Sequence, residues 1–309
     1  MADTKYRLIT RSDFDGLVSA VLLKELNMID DILFVHPKDM QDGKIAVTDR
    51  DITTNLPYVP GVYMCFDHHY SETKRTGEHP NQIIDPDMPS AARVVYNYFG
   101  GKEKFPHIPE DLLTAVDKAD SAKFDREDIL NPVGWTLLSF IMDSRTGLGY
   151  HHKFQISNYQ LMIKLISLCR TKTAEEVLCD PDVRERIELY MEHYLPFINQ
   201  LKRCSTVHGN LVEVNFLQET TIYAGNRFMI YALYPEAQVS MYVMWGKDKK
   251  VIVYALGKSI LNPTSKTNIG DLMLKYGGGG HRAAGTCQIP VKDAEKVKAE
   301  IIAAINSDV

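Results

Sequence analysis

The sequence predicts an α/β protein in two lobes: an amino-terminal parallel-sheet lobe, and a smaller carboxy-terminal α/β lobe joined to it by a helical connector. Three observations carry this. Over the first hundred residues, short apolar runs of β type alternate with segments of helical spacing, and each run closes in a polar loop. Residues 154–203 are almost wholly helical in pattern. From about residue 206 the texture changes again, and β-rich segments return between turn residues. The expected division is 1–190 for the first domain with its connector and 205–309 for the second.

Taken in order, "YRLIT" (6–10) is a short buried strand that stops in the loop "RSDFDG". "LVSAVLLKELNMI" has the length and spacing of a helix. "DILFVHP", "DITTNL" and "VYMCF" supply a second, third and fourth strand, and "PSAARVVYNYFG" a helix after the last. Strands that alternate with helices pair in parallel, and ligands of such sheets gather at the carboxyl ends of the strands. Residues 109–124 form a helix leading into a polar corner. In the second lobe "LVEVNFL", "RFMIYALY", "QVSMYVMWG" and "KVIVYALG" are expected to be β-rich. A helix, "NIGDLMLKY", meets "GGGGHRAAG", and "DAEKVKAEIIAAI" closes the chain as an amphipathic helix.

The chain has 309 residues, 45% hydrophobic and 24% charged, enough for two cores. The net charge is 35 − 40 = −5, with no polybasic run, so nothing advertises long nucleic acid. A small phosphorylated substrate or a short nucleic acid held in a local pocket fits better. The five cysteines form no CxxC pair and are odd in number, which excludes a disulfide framework and a cysteine zinc site. The start "MADTKYRLIT" has no apolar leader core, and no run of about 18 apolar residues occurs. A cytoplasmic protein with no membrane partner is expected.

Four groups could do chemistry. Asp13 and Asp15 follow the first strand at spacing i, i+2, and Gly16 permits a tight turn, so both carboxylates can face one hard divalent cation. An N-capping aspartate is the plainer reading of the same residues. Asp67-His68-His69 ends the fourth strand, and imidazoles beside a carboxylate suit Mn²⁺, Fe²⁺ or Zn²⁺. "VDKADSAKF" offers Asp117 and Asp120, each of which could equally serve a helix end. In "KYGGGGHRAAG" the amides of Gly278, Gly279 and Gly280 can approach an anion closely, and His281 and Arg282 add donors suited to phosphate.

"DFDG", "DHH" and "GGGGHRAAG", in this order and at these distances, resemble the DHH phosphoesterase superfamily. The likeness is to its branch with a DHH-associated carboxy-terminal domain, which includes RecJ-type exonucleases, nano-RNases, cyclic dinucleotide phosphodiesterases and exopolyphosphatase-like proteins. The resemblance spans nearly the whole chain. It implies a two-metal site in the first lobe, usually of Mn²⁺ with Mg²⁺ the other choice, and a second lobe that grips the substrate across a cleft. By position, Asp13 would bind one metal, and Asp15, His68 and Asp120 the other. Asp67 would orient His68 or ligate weakly, His69 would face the phosphate, and Lys258-Ser259 falls where relatives contact phosphate. The activity implied is metal-dependent hydrolysis of a phosphodiester or phosphoanhydride bond in a short oligonucleotide, a dinucleotide or polyphosphate.

Two positions depart from the pattern. Arg11 stands where relatives carry a histidine ligand, and Asn55 where they carry a bridging aspartate; Asp49 and Asp51 sit at the start of that strand instead. Losing an anionic bridge disfavours a pair of divalent ions. The expectation is therefore one metal at Asp15, His68 and Asp120 with Arg11 in the other place, and a non-hydrolytic phosphate binder is the rival function. The connector and tail helices could serve a homodimer under either function.

Overall fold

A computed structural model describes residues 5–307. The outermost ends of the two expected domains, 1–4 and 308–309, lie outside the described residues. The chain separates into two compact units. One comprises the residues up to Lys123 with Pro132–Ser144 and Leu148–Glu188; the other comprises Phe124–Asn131, Arg145–Gly147 and everything from Leu189 onward.

The first unit begins β1 (Tyr6–Thr10), α1 (Phe14–Glu25), β2 (Ile29–Phe34), α2 (Pro37–Gln41), β3 (Asp51–Thr54), β4 (Met64–Asp67), α3 (Tyr70–Thr76), β5 (Gln82–Ile84), α4 (Ala91–Tyr98) and α5 (Glu110–Asp120). Its sheet has the order β2-β1-β3-β4-β5, and every pair is parallel. The α/β class read from the sequence is the class observed. Helix α1 starts three residues before the apolar run, because Asp13 caps it through the Gly16 amide (2.9 Å). It stops short of Ile29, where Asn27 turns left-handed (φ 57°) and β2 begins. Leu17, Val18 and Ala20 to Leu23 are all buried, and the helix packs against α4, α5 and α8 (Asn158–Leu168). Strand β5 and helix α3 are additions to what the pattern predicts. Strand register then fixes the site: Thr10 pairs with Thr54, and Thr54 with Phe66. Arg11, Asn55 and Asp67 consequently leave three neighbouring strands at one edge.

Further along, α6 (Arg126–Leu130) belongs to the second unit and α7 (Gly134–Met142), α8 and α9 (Ala174–Leu178) to the first, while α10 (Pro181–Cys204) contributes to both. The second unit continues with β6 (Ser205–His208), β7 (Leu211–Asn215), α11 (Met229–Leu233), β8 (Val239–Trp245), β9 (Val251–Lys258), α12 (Ile269–Leu274), β10 (Gly279–His281), β11 (Ala284–Pro290) and α13 (Val291–Asn306). Its mixed sheet has the order β10-β11-β9-β8-β7-β6. Val239, Met241, Tyr254 and Ile289 bury one face of that sheet against Met273 of α12 and Ile301 and Ile305 of α13.

One expected β segment is helical. "RFMIYALY" forms α11, because Phe228 to Ala232 are buried without a break and an unbroken apolar run carries no period to tell strand from helix. The Tyr231 hydroxyl fixes it in place between Ser240 Oγ (2.8 Å) and the Gly257 carbonyl (3.0 Å).

Candidate active site

The loop after β1 is built around Gly16. A Cβ there would lie 2.1 Å from the Arg11 carbonyl oxygen, so only glycine lets the loop close onto the start of α1. Closure brings Asp13 and Asp15 to the sheet edge with different partners. Asp15 is buried and accepts the Ala91 amide at Oδ2 (2.9 Å) and the Ala92 amide at Oδ1 (2.7 Å), both from the first turn of α4. Asp13 accepts Gly16 N–H at Oδ1, lies 3.0 Å from Arg11 Nε at Oδ2, and has Asn55 Nδ2 at 3.5 Å from Oδ1.

Asn55 sits one residue past β3 with φ 55°, a left-handed conformation that asparagine tolerates. Asp51, at the other end of that strand, is occupied by Arg7 (2.7 Å), and Asp49 lies in the turn before it. The placement of Asn55 rather than Asp49 or Asp51 at the site edge is as the strand assignment predicts.

The end of β4 sorts its three polar residues. His68 Nδ1 lies 3.1 Å from the Met88 carbonyl, to which it donates, and this turns Nε2 toward Asp120. His68 Nε2 is buried, 2.9 Å from Asp120 Oδ2, and outside hydrogen-bond geometry. Asp67 Oδ1 takes the His68 amide (2.9 Å) and His69 Nδ1 (2.7 Å). Asp67 therefore orients His69 and not the His68 ring as expected; the carbonyl of Met88, which no sequence pattern marks, does that for His68. His69 remains part-exposed, so its other nitrogen can meet a substrate.

The two aspartates of "VDKADSAKF" part company. Asp117 accepts Ser90 Oγ (2.7 Å) and both Arg93 Nε (2.8 Å) and Nη2 (2.6 Å), which makes it a clamp between α5 and α4. Asp120 is the last residue of α5, where the helix dipole disfavours an anion. Asp15, His68 and Asp120 present ligand atoms within 4.8 Å of one another, as do Asp67, His68 and His69.

Electrostatics make the first of these sets incomplete without a cation. Burial, with the charges of Asp120 and Asp13, pushes the Asp15 carboxyl well above its ordinary range. Burial draws the His68 pKa down, but the Asp120 carboxylate beside it outweighs this and holds it up at about 9. Crowded carboxylates facing an orphaned imidazole nitrogen fit a divalent metal: Asp15 and Asp120 would give oxygen and His68 would give Nε2, with the ion in place of the proton that His68 otherwise carries.

In the second unit the glycine run is a hairpin. Gly279 pairs with Thr286, Gly280 with Gly285 and His281 with Ala284. A Cβ at Gly278 would lie 2.0 Å from the Thr286 carbonyl oxygen, whereas Gly279 has open space. His281 and Arg282 are exposed at its tip. Lys258 and Ser259 have structural partners: Lys258 Nζ donates to the Ser265 carbonyl (2.8 Å), and buried Ser259 Oγ accepts the Leu261 (3.2 Å) and Asn262 (3.0 Å) amides. They shape the turn after β9, and Ser259 is not available to a phosphate in this arrangement. Among the described residues no helix is long and apolar enough to cross a membrane.

No protein-family profile matches the chain, and no curated protein matches it. Among solved structures, a pGpG-specific phosphodiesterase, PggH from Vibrio cholerae, is 55% identical, with 99% of this chain and 100% of that one aligned at a TM-score of 0.90. CDC45 from Entamoeba histolytica is 10% identical at a TM-score of 0.55, over 98% of this chain and 96% of its own. RecJ in complex with Mn²⁺ from Thermus thermophilus is 14% identical at 0.54, over 99% of this chain and 52% of RecJ. The last two share the fold. The chain belongs to the DHH phosphoesterase superfamily. It is a phosphoesterase, a hydrolytic enzyme.

Proposed function

We propose that this protein cleaves the phosphodiester bond of the linear dinucleotide pGpG. The observation that carries the reading is 55% identity, over the whole of both chains, to a phosphodiesterase specific for pGpG. The chemistry of the first unit supports it. Asp15, His68 and Asp120 would hold one divalent cation, Mn²⁺ before Mg²⁺, since a mixed imidazole and carboxylate donor set suits Mn²⁺ better. When bound, such an ion polarises a phosphoryl oxygen and lowers the pKa of a water.

The chain's own residues do the rest. His69, aligned by Asp67, stands ready to hand a proton to the leaving oxygen, the usual task of an imidazole backed by a carboxylate. Arg11, fixed by Asp13, offers a guanidinium to the phosphoryl group. The Gly278 amide donates to the Met273 carbonyl, so on the glycine hairpin it is the exposed His281 and Arg282 at the tip that would meet phosphate. Lys258 and Ser259 support the turn after β9. The net charge of −5 suits a short substrate over a processive one.

The test is turnover. Chelator-stripped protein given Mn²⁺ and pGpG should yield guanosine monophosphate, with cyclic dinucleotides and polyphosphate cleaved far more slowly. Polyphosphate cleaved as fast as pGpG would overturn the dinucleotide assignment.

A further inference from the structure

The two-metal site implied by the resemblance asks for a second set of donors around Asp13, and neither of the two donor clusters among the described residues, Asp15-His68-Asp120 and Asp67-His68-His69, includes it. Asp13 is the carboxylate that such an ion would have besides Asp15, and its oxygens face donors. Arg11 Nε lies 3.0 Å from Oδ2, Gly16 N–H donates to Oδ1 at 2.9 Å, and Asn55 Nδ2 lies 3.5 Å from that same oxygen. By the resemblance Arg11 occupies the sequence position of a histidine ligand; Asn55 turns its Nδ2 to Asp13 and keeps a buried, unpartnered Oδ1, a neutral oxygen where the resemblance calls for a bridging anion. Among the described residues Asp13 joins no cluster of metal-donor atoms. A divalent ion placed here would meet a guanidinium across the same carboxylate, with no added negative charge to offset the repulsion.

We infer that Arg11, held by Asp13, whose other oxygen faces Asn55, takes the position of a second ion, so that this site works with a single divalent cation and a fixed guanidinium. The inference rests on the phosphodiesterase reading for the meaning of that cation, though not for its count. A guanidinium can do part of what a metal does at a phosphoryl group: it neutralises equatorial oxygens and offers two parallel donors. It cannot generate hydroxide from water. A cation held by Asp15, His68 and Asp120 would be what supplies hydroxide, and Arg11 would neutralise phosphoryl oxygens in place of a second one. Arg11 is thus a catalytic residue here, and Asn55 a positioning residue that acts through Asp13.

The backbone favours a clean reversal. Asn55 has φ 55°, which aspartate adopts as readily as asparagine, so Asn55→Asp adds charge without moving the chain. The experiment is Mn²⁺ titration of the chelator-stripped full chain by calorimetry, with electron paramagnetic resonance of the loaded protein. Native protein should bind one ion and give the spectrum of an isolated Mn²⁺. Arg11→His with Asn55→Asp should bind two and show exchange coupling between them. A native protein that binds two coupled ions would overturn the inference. So would a folded double variant that still binds one, since Arg11 and Asn55 would then not be the cause. Native counting needs no variant to fold, and pGpG turnover is scored separately. Turnover with two ions overturns this inference alone, and one ion without turnover overturns the substrate assignment alone.

Discussion

His68 Nε2 lies 2.9 Å from Asp120 Oδ2, yet no hydrogen bond joins them, and the histidine nitrogen is buried with no other partner. These two converge on a shared point, with Asp15 closing the third side.

Metal loading should release a proton. In the metal-free protein Asp120 and Asp15 overcome burial and hold the His68 pKa at about 9, above the ordinary 6.5. The stability of that protonated pair is fully present below about 6.5 and is lost as pH rises through about 9. An ion must displace this proton, so metal affinity rises with pH across the same window. Calorimetry in buffers of different ionisation enthalpy should show uptake of that proton by buffer at pH 7, and equal heats in all buffers would contradict this.

Asp15 carries two burdens that substitution can separate. Asp15→Asn keeps an acceptor for one of the Ala91 and Ala92 amides and sets its NH₂ against the other, so metal binding should vanish with a stability loss of about 1–3 kcal/mol. Asp15→Ala strands both buried amides, at about 1–3 kcal/mol each. Urea denaturation with a parallel Mn²⁺ titration tells the two apart.

His69→Ala should lower kcat about 10²- to 10⁴-fold, as expected for a lost general acid, and leave Mn²⁺ stoichiometry unchanged. Asp67→Asn should move kcat in the same direction through the orientation of His69. A loss of metal from His69→Ala would place that residue among the ligands instead.

Two glycines in one run should behave in opposite ways. Gly278→Ala drives a methyl to 2.0 Å from the Thr286 carbonyl and should cost about 1–3 kcal/mol through forced backbone shifts. Gly279→Ala meets nothing within 4 Å and should leave the melting temperature close to native. Thermal unfolding of both variants decides the matter.

Acid should weaken the β1–β3 junction. Asp51 is buried, which alone would raise its pKa, but Arg7 and the Thr48 amide hold it below its ordinary value. Its contribution is present above the ordinary carboxylate pKa of about 3.9 and is lost as pH falls through the lower folded value. Asp51→Asn should flatten the acid limb of the stability profile and leave the neutral metal titration intact.

The parallel sheet was legible because each strand ends where polar residues begin, and that same break marks Asp13, Asn55 and His68. Position in the motif favoured Asp120 over Asp117, and α4 supplies the physical reason, since its Ser90 and Arg93 occupy Asp117. The roles of Asp67 and Met88 were hidden for a related reason: ring orientation depends on a carbonyl twenty residues away in sequence. Helix α11 was misread because a fully buried segment has no solvent face to set a period. Lys258-Ser259 looked like a phosphate contact by position alone, and only the turn that follows β9 shows where its polar atoms go.

The most direct test of the account is pGpG turnover by chelator-stripped protein as Mn²⁺ is added, native beside Asp120→Asn. Turnover should rise from zero and saturate in the native protein, and stay absent in the variant while its melting temperature holds. Turnover without metal, or undiminished in Asp120→Asn, would contradict a metal-dependent phosphodiesterase centred on Asp15, His68 and Asp120.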